Sequence, residues 1–97
     1  MMATRPSAIG TVQIDTDRVK VTEWRFPPGA ETGWHRHGMD YVVVPVATGP
    51  LLLEWPDGSA TTAQLVTGQS YARPAGVEHN VVNPSGHEIA FIEIELK

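Results

Sequence analysis

Three histidines in this chain are spaced so that they could bind one metal ion. His35 and His37 are separated by one residue, and His79 follows about forty residues later, after the turn sequence PAGV. On a β-strand alternate side chains share a face, so His35 and His37 point the same way with Cα atoms roughly 6.5 Å apart. His79 opens a new apolar strand that could supply the third ligand. Neutral imidazole binds Zn, Fe, Ni and Cu ions, so the pattern predicts one metal site at His35, His37 and His79.

The elements that must position these histidines are predicted to be short β-strands. Turn signals rich in Gly and Pro recur every eight to twelve residues, and runs rich in β-branched, Leu and aromatic residues lie between them. That pattern is typical of an all-β barrel or sandwich with essentially no helix. The predicted strands are 9–14, 19–26, 34–37, 41–46, 51–55, 60–65, 70–73, 79–83 and 88–96.

In two strands the pattern of apolar residues indicates which faces are buried. In the last strand Phe91, Glu93 and Glu95 alternate with aliphatic residues, so we predict that the aliphatic side faces the core: Ala90, Ile92, Ile94 and Leu96. The run from Tyr41 to Val46 is apolar on both faces, as in a strand covered on each side by a second sheet or a second subunit. A homodimer is therefore expected.

Length and composition restrict the class of protein. The 97 residues predict one domain, with a flexible N-terminal arm at 1–8 and a barrel at 9–97, and there is no Cys to form a disulfide or a thiolate ligand. The net charge is −4 and the seven basic residues are scattered, which excludes an electrostatic footprint for nucleic acid or anionic lipid. No apolar run is long enough for a signal peptide or a membrane span, so a cytoplasmic location is expected.

The two histidine segments resemble the two signature motifs of the cupin superfamily, and the chain is similar to a small single-domain cupin from about Val19 onward. The second motif, between Gly68 and Asn83, fits the family pattern at every position. The segments HRHGMDYVVVP and PAGVEHNVVN also resemble small bacterial cupins whose name refers to beta-alanine degradation. The resemblance implies a double-stranded β-helix, or jelly-roll, barrel with one divalent metal ion (Fe(II), Zn, Ni or Mn) and a small-molecule ligand.

The first motif departs from the family pattern at one position. A glutamate ligand is usual four residues after the second histidine, and Tyr41 stands there. Asp40 is adjacent, but strand alternation sends it to the opposite face unless a bulge shifts the register. The resemblance therefore implies a site of three neutral histidines. Such a centre keeps its full positive charge and favours an anionic, chelating ligand.

Three further residues are candidates for contact with that ligand: Tyr41, Arg73 and Met39. Tyr41 shares the histidine face, either as a core aromatic or as a hydrogen-bond partner of a ligand. Arg73 would mark a carboxylate-binding site if it points inward, although a surface position is the alternative we favour. Met39, on the same face by alternation, either lines the pocket mouth or belongs to the core. His87 lies outside both motifs and is expected to be exposed.

The residues and the resemblance leave three functional classes open. The leading prediction is an Fe(II) dioxygenase acting on a small organic acid or related metabolite, like the thiol and diketone-cleaving dioxygenases that also use three histidines. A zinc ion would instead make hydrolytic or lyase chemistry conceivable. No second catalytic group is evident, so a metallocupin that binds a metabolite without turnover, as a sensor or accessory protein, is the alternative. A metal-free binding cupin is the third class.

Overall fold

The computed structural model describes residues 4–97, and within this range the chain forms nine β-strands and no helix. Each strand predicted from the sequence is present, with ends that differ by at most two residues. The agreement follows from the Gly and Pro residues that end each strand. The strands are β1 (Ile9–Asp15), β2 (Val19–Phe26), β3 (His35–Arg36), β4 (Asp40–Pro45), β5 (Gly49–Glu54), β6 (Ala60–Leu65), β7 (Tyr71–Arg73), β8 (Glu78–Val82) and β9 (Ile89–Leu96).

The strands make two antiparallel sheets. One has the order β1-β2-β9-β4-β7 and the other β3-β8-β5-β6, so strands distant in sequence become neighbours in both sheets. Buried side chains from both sheets join in one core cluster, including Phe26 and Phe91 from the first sheet and Leu51 and Val81 from the second. The predicted all-β jelly-roll fold is confirmed. No helix among residues 4–97 is long and apolar enough to cross a membrane.

The prediction for the faces of β9 is wrong. Phe91 and Glu93 are buried and line the interior, whereas Ile92 and Ile94 are half-buried on the opposite, outer face and Leu96 is exposed. The prediction assumed that the interior is purely apolar. The interior of this barrel instead contains a cavity that accommodates carboxyl groups. Of the four residues predicted to face the core, Ala90 alone is buried, at 3% exposure.

Strand β4 has the two-sided apolar character expected from its sequence. Tyr41, Val43 and Pro45 are buried toward the interior, and Val42 and Val44 are half-buried on the outer face. Strand β7 pairs only with the first half of β4, so Pro45 lies where β4 has β9 as its only ladder partner. Because proline has no N–H to donate, this position costs no ladder hydrogen bond.

The described part of the N-terminal arm is attached to the barrel. Ala8 donates its backbone N–H to the carbonyl of Glu31 at 2.8 Å, and Glu31 donates to Pro6 at 2.9 Å. The Arg5 guanidinium forms ion pairs with Glu31 and Glu54 at 3.2 and 2.9 Å. The segment predicted to be a flexible arm therefore has defined contacts from Arg5 onward, because its backbone pairs with Glu31, which itself forms a bridge to Val82 of β8. Residues 1–3 lie outside the described range.

Candidate metal centre

Strands β3 and β8 bring the two histidine segments together. In their antiparallel pairing His35 lies directly opposite His79. His37 follows the end of β3, and its backbone N–H donates to the carbonyl of Val77 at 2.9 Å. Gly76 in turn donates its N–H to the carbonyl of His37 at 2.7 Å, with a φ of 96° that favours glycine. The turn before β8 is thereby fixed against the segment that carries His37.

The three histidines converge through their Nε2 atoms. The His35 and His37 Nε2 atoms are 3.1 Å apart, and so are those of His37 and His79. Two nitrogens that each lie about 2.0–2.1 Å from one zinc ion, at about a right angle, are about 3 Å from each other. The three side chains therefore fit the ligand set of one metal ion.

The hydrogen bonds around His35 fix its ring in the orientation that a ligand needs. Its Nδ1 lies 2.9 Å from the carbonyl oxygen of Gly33, which can only accept, so the ring proton is on Nδ1 and the Nε2 lone pair faces the centre. Gly33 is held by Asn80, whose Oδ1 accepts from its N–H at 2.9 Å. Asn80 is 2% exposed and donates to both Glu31 and Glu54 at 2.8 Å. Sequence reasoning missed this positioning role, although Asn80 lies inside the second motif.

The other two rings are neutral for a physical reason. Burial is the main cause and the charge of neighbouring histidines the second, and together they lower the pKa of both His37 and His79 to about 4. Because metal ligands must be deprotonated, this suits a metal centre. The Nδ1 of His79 is buried without a hydrogen-bond partner among residues 4–97. Its ring is instead packed beside Trp55, with ring centres 5.7 Å apart.

Tyr41 and Asp40 are the two residues at or beside the position where the family usually has a glutamate ligand, and the structure places them differently. The ring of Tyr41 is buried and stacks on His37 with centroids 3.9 Å apart. Burial raises the pKa of Tyr41 to about 12, so its phenol stays neutral. Asp40 is exposed, and its Oδ1 accepts a hydrogen bond from the backbone N–H of Ala75 at 2.8 Å. Asp40 therefore holds the turn before β8 and does not face the histidines.

The remaining predicted contact residues differ in position. Arg73 is exposed but lies at the cavity rim, where its guanidinium is 4.7 Å from the ring centre of Tyr71 and donates to the carbonyl of Ala72. Met39 is not part of the cavity wall. The chain bends at Gly38 and Met39, so the strand alternation assumed between His37 and β4 is interrupted there. His87 is exposed, as its position outside the motifs predicts.

The histidines open into a cavity of about 470 Å³ between the two sheets. Rings of Trp24, Trp55 and Tyr71 also border this space. A cavity of this size with convergent polar groups is typical of a small-molecule site. Most of its wall is apolar, with contributions from both sheets: Val43, Leu51, Leu53, Leu65, Val81 and Phe91.

Glu93 is a functional candidate that sequence reasoning placed on the wrong face. It lies opposite Val43 in the ladder between β9 and β4, lines the cavity and is 9% exposed. Burial raises the pKa of Glu93 to about 7, the negative charge of Glu95 adds to the rise, and Trp24 and Lys20 partly oppose it. Ligand atoms of Glu93, Glu95 and His37 all lie within 4.8 Å of one another. Trp24 lies opposite Phe91 on the same interior face, a pairing that the structure shows and the sequence does not.

Comparisons with known proteins agree with this geometry. The cupin domain family matches residues 22–95. The beta-alanine degradation protein BauB from Pseudomonas aeruginosa is 62% identical over 96 residues, which cover 99% of this chain and 100% of the relative. A cupin domain from Bordetella pertussis Tohama I has a crystal structure with 70% identity, a TM-score of 0.96 and 99% coverage of both chains.

A more distant structure shares the fold alone. A protein with a double-stranded beta-helix domain from Klebsiella pneumoniae is 19% identical, with a TM-score of 0.77, over 98% of this chain and 81% of that one. The family match spans most of the chain, and the two histidine segments fall inside it. The chain therefore belongs to the cupin family, as a small single-domain member.

Proposed function

We propose that this cupin is a non-haem Fe(II) dioxygenase that acts on a small organic acid or related metabolite. The observation that carries the proposal is the convergence of three imidazole Nε2 atoms inside a largely apolar cavity. An Fe(II) ion held by His35, His37 and His79 would supply oxygen activation, with positions left open for substrate and O₂.

The side chains of the site favour an anionic substrate. Three neutral imidazoles add no negative charge to a divalent centre, so an anionic chelating group completes it. Arg36 and Arg73 line the cavity and provide positive charge on the approach to it. Tyr41 holds the His37 ring by stacking, and the apolar walls exclude water from the reacting groups.

The name of the related protein supports the same class of substrate. BauB is named for the degradation of beta-alanine, a small amino acid, and the two chains match over their whole lengths. We infer that the substrate here is a small carboxylic acid or a compound derived from one.

The test begins with metal content. Elemental analysis of tag-free protein should find about one iron per chain after anaerobic reconstitution, and His79→Ala should lose most of it because two imidazoles bind far more weakly than three. The matched control is His87→Ala, which removes an exposed histidine outside the site and should keep the metal. Stoichiometric iron in His79→Ala would refute the three-histidine centre.

Oxygen consumption then tests the reaction. An oxygen electrode should record uptake by the iron-loaded protein with at least one of a panel of small keto acids, amino acids, thiols and diketones. Uptake should fall to background in His79→Ala and persist in His87→Ala. Iron-loaded protein that consumes no oxygen with any of these compounds would contradict the dioxygenase proposal.

One observation favours a second candidate, a metallocupin that binds a metabolite without turnover. Within the described part of the chain, no Ser, Cys or Lys lines the cavity, and the acidic groups there are Glu93 and Glu95. A sensor or accessory protein needs no further catalytic group. Calorimetric binding of a small acid by metal-loaded protein, without oxygen uptake or product, would select this function.

A further inference from the structure

The cavity contains a buried carboxyl group that forms no ion pair among residues 4–97, although Lys20 lies opposite the neighbouring Glu95 in the ladder between β2 and β9. Glu93 is 9% exposed and takes part in none of the ion pairs described there. Carboxylates elsewhere in the same sheet do find partners: Glu23 and Glu88 pair with Arg25 at 2.8 and 2.7 Å. Those pairs lie on the outer surface, whereas Glu93 points into the cavity.

An unpaired buried carboxyl is costly. Removing an ionised group from water without compensation costs several kcal/mol, as an order of magnitude, unless an opposite charge or hydrogen bonds replace the water. Its ladder partners Thr22 and Val43 carry no charge, and the Trp24 side chain is a neutral hydrogen-bond partner, so none of these three neighbours supplies an opposite charge. A group of this kind inside a cavity is a candidate for contact with a ligand.

The position of Glu93 restricts what that ligand can be. Its carboxylate, that of Glu95 and a ring nitrogen of His37 all lie within 4.8 Å of one another. A molecule that binds at the histidine centre with one group can therefore place a second group beside these two carboxylates. The separation leaves room for a short chain of about one to three carbon atoms between the two groups, with a hydrogen bond of about 2.8 Å at the carboxylate.

We propose that Glu93, assisted by Glu95 at the cavity rim, binds the protonated amine of a small amino-carboxylate whose carboxylate reaches the three-histidine centre. The inference rests on the proposed function, because the carboxylate end needs a metal ion at that centre. It adds that the substrate is a zwitterion.

A second metal ion fits these carboxylates less well than an amine does. The Nε2 of His37 faces His35 and His79 and belongs to the first centre. Glu93 and Glu95 alone then remain, and two carboxylates are few ligands for a divalent cation such as Ca²⁺, which takes six to eight oxygens. An ammonium group needs only three acceptors.

The test compares ligands with and without the amine. Zinc-reconstituted protein, which has no redox chemistry, is titrated by calorimetry with beta-alanine and with propionate, which differ only by the amino group. The unsubstituted protein should bind beta-alanine at least about tenfold more tightly, as expected for a buried charge pair. Glu93→Gln should lose this preference while its affinity for propionate changes by less than about threefold.

Controls isolate the charge of Glu93. Glu88→Gln makes the same chemical change at an exposed site outside the cavity and should keep the preference. Glu93→Asp keeps the negative charge and should retain part of the preference for beta-alanine. Circular dichroism checks the fold of each variant. Equal affinity of the unsubstituted protein for the two ligands, or a preference that survives Glu93→Gln, would overturn the inference.

Zinc content of the same samples separately tests the three-histidine metal centre, on which the proposed function depends. Protein that holds zinc but shows no preference for beta-alanine retains the metal centre and lacks the amine site. Protein that holds no zinc and still prefers beta-alanine over propionate has the amine site and lacks the metal centre. The two proposals can therefore fail independently.

Discussion

At the scale of single residues, burial sets the protonation of the whole site. It lowers the pKa of His37 and His79 to about 4 and raises that of Glu93 to about 7, so in both cases the neutral form is favoured. The histidines were predictable because alternation along a strand puts His35 and His37 together whatever surrounds them. Glu93 was not, because a charged residue is usually exposed and only the cavity explains its position.

The raised pKa of Glu93 predicts a pH-dependent stability in the metal-free protein. A folded pKa above the unfolded value means that the folded state binds the proton more tightly, so this contribution is complete below pH 4.5 and is lost as pH rises through about 7. The loss is at most about 3 kcal/mol, at about 1.4 kcal/mol per pKa unit. Glu93→Gln removes it, so the variant should gain stability relative to the unsubstituted protein between pH 5 and pH 8.

Urea unfolding at both pH values measures this difference. Chelator-treated protein is used, because a nearby divalent ion would itself lower the pKa of Glu93. The difference between the unfolding free energies of the two proteins removes the opposite contribution of His37 and His79. That contribution to stability is lost as pH falls toward 4. If the unfolding free energy of both proteins changed equally between pH 5 and pH 8, the raised pKa of Glu93 would be contradicted.

At the scale of elements, short strands carry the site and loop contacts hold them. Strand β3 has two residues, so its pairing with β8 alone cannot fix His35. Strand positions were predictable from Gly and Pro spacing. The predicted strands left a gap at 38–40, but alternation was assumed to continue across it, and the bend at Gly38 and Met39 interrupts that alternation. Side-chain to backbone hydrogen bonds supply much of the remaining order.

Asn83 is the clearest of these contacts and yields a prediction. It is fully buried, and its Nδ2 donates to the carbonyls of Phe26 and His87 at 3.0 and 2.8 Å. Its Oδ1 accepts from the backbone N–H of Ser85 at 2.9 Å. Asn83→Ala leaves these groups unsatisfied and should lower the free energy of unfolding by about 2–4 kcal/mol.

Chemical denaturation measures the effect of Asn83→Ala. The control is Ser70→Ala, an exposed serine before β7 whose side chain makes no hydrogen bond among residues 4–97, which should change stability by less than about 0.5 kcal/mol. Because Asn83 lies outside the histidine cluster, the folded variant should bind metal as the unsubstituted protein does. A stability loss below about 1 kcal/mol would show that water replaces the lost hydrogen bonds.

At the scale of the whole molecule, the outer face of the five-stranded sheet is apolar in part, although the ion pair of Glu23 with Arg25 also lies on it. One row of paired residues crosses all five strands, and each of its members is half-buried or exposed. A continuous apolar row of this kind is typical of an interface. The alternation of residue types in the sequence predicted the barrel and the apolar outer side of β4. It did not predict which side of β9 faces outward. The row is Ile14, Val21, Ile94, Val42 and Ala72.

We expect this row to be the contact between two copies of the chain. Size-exclusion chromatography with light scattering should give about twice the chain mass of 10.6 kDa. Ile94→Lys should shift the protein to a monomer, since a charge at the centre of the row cannot be paired by symmetry. The control is Thr62→Lys on the exposed strand β6, which should leave the dimer intact. A dimer that survives Ile94→Lys would place the interface elsewhere.

The attachment of Arg5 has a practical consequence for handling the protein. Arg5 holds Glu31 and Glu54, both carboxylates accept from Asn80, and Asn80 holds Gly33, whose carbonyl orients the ring of His35. A purification tag fused to the N-terminus would therefore be expected to disturb Arg5, the first residue in this series of hydrogen bonds. Lys97, which bonds to Arg18 and Asp15 away from the histidines, is the better point for fusion, and metal affinities measured with the two tag positions should not be pooled.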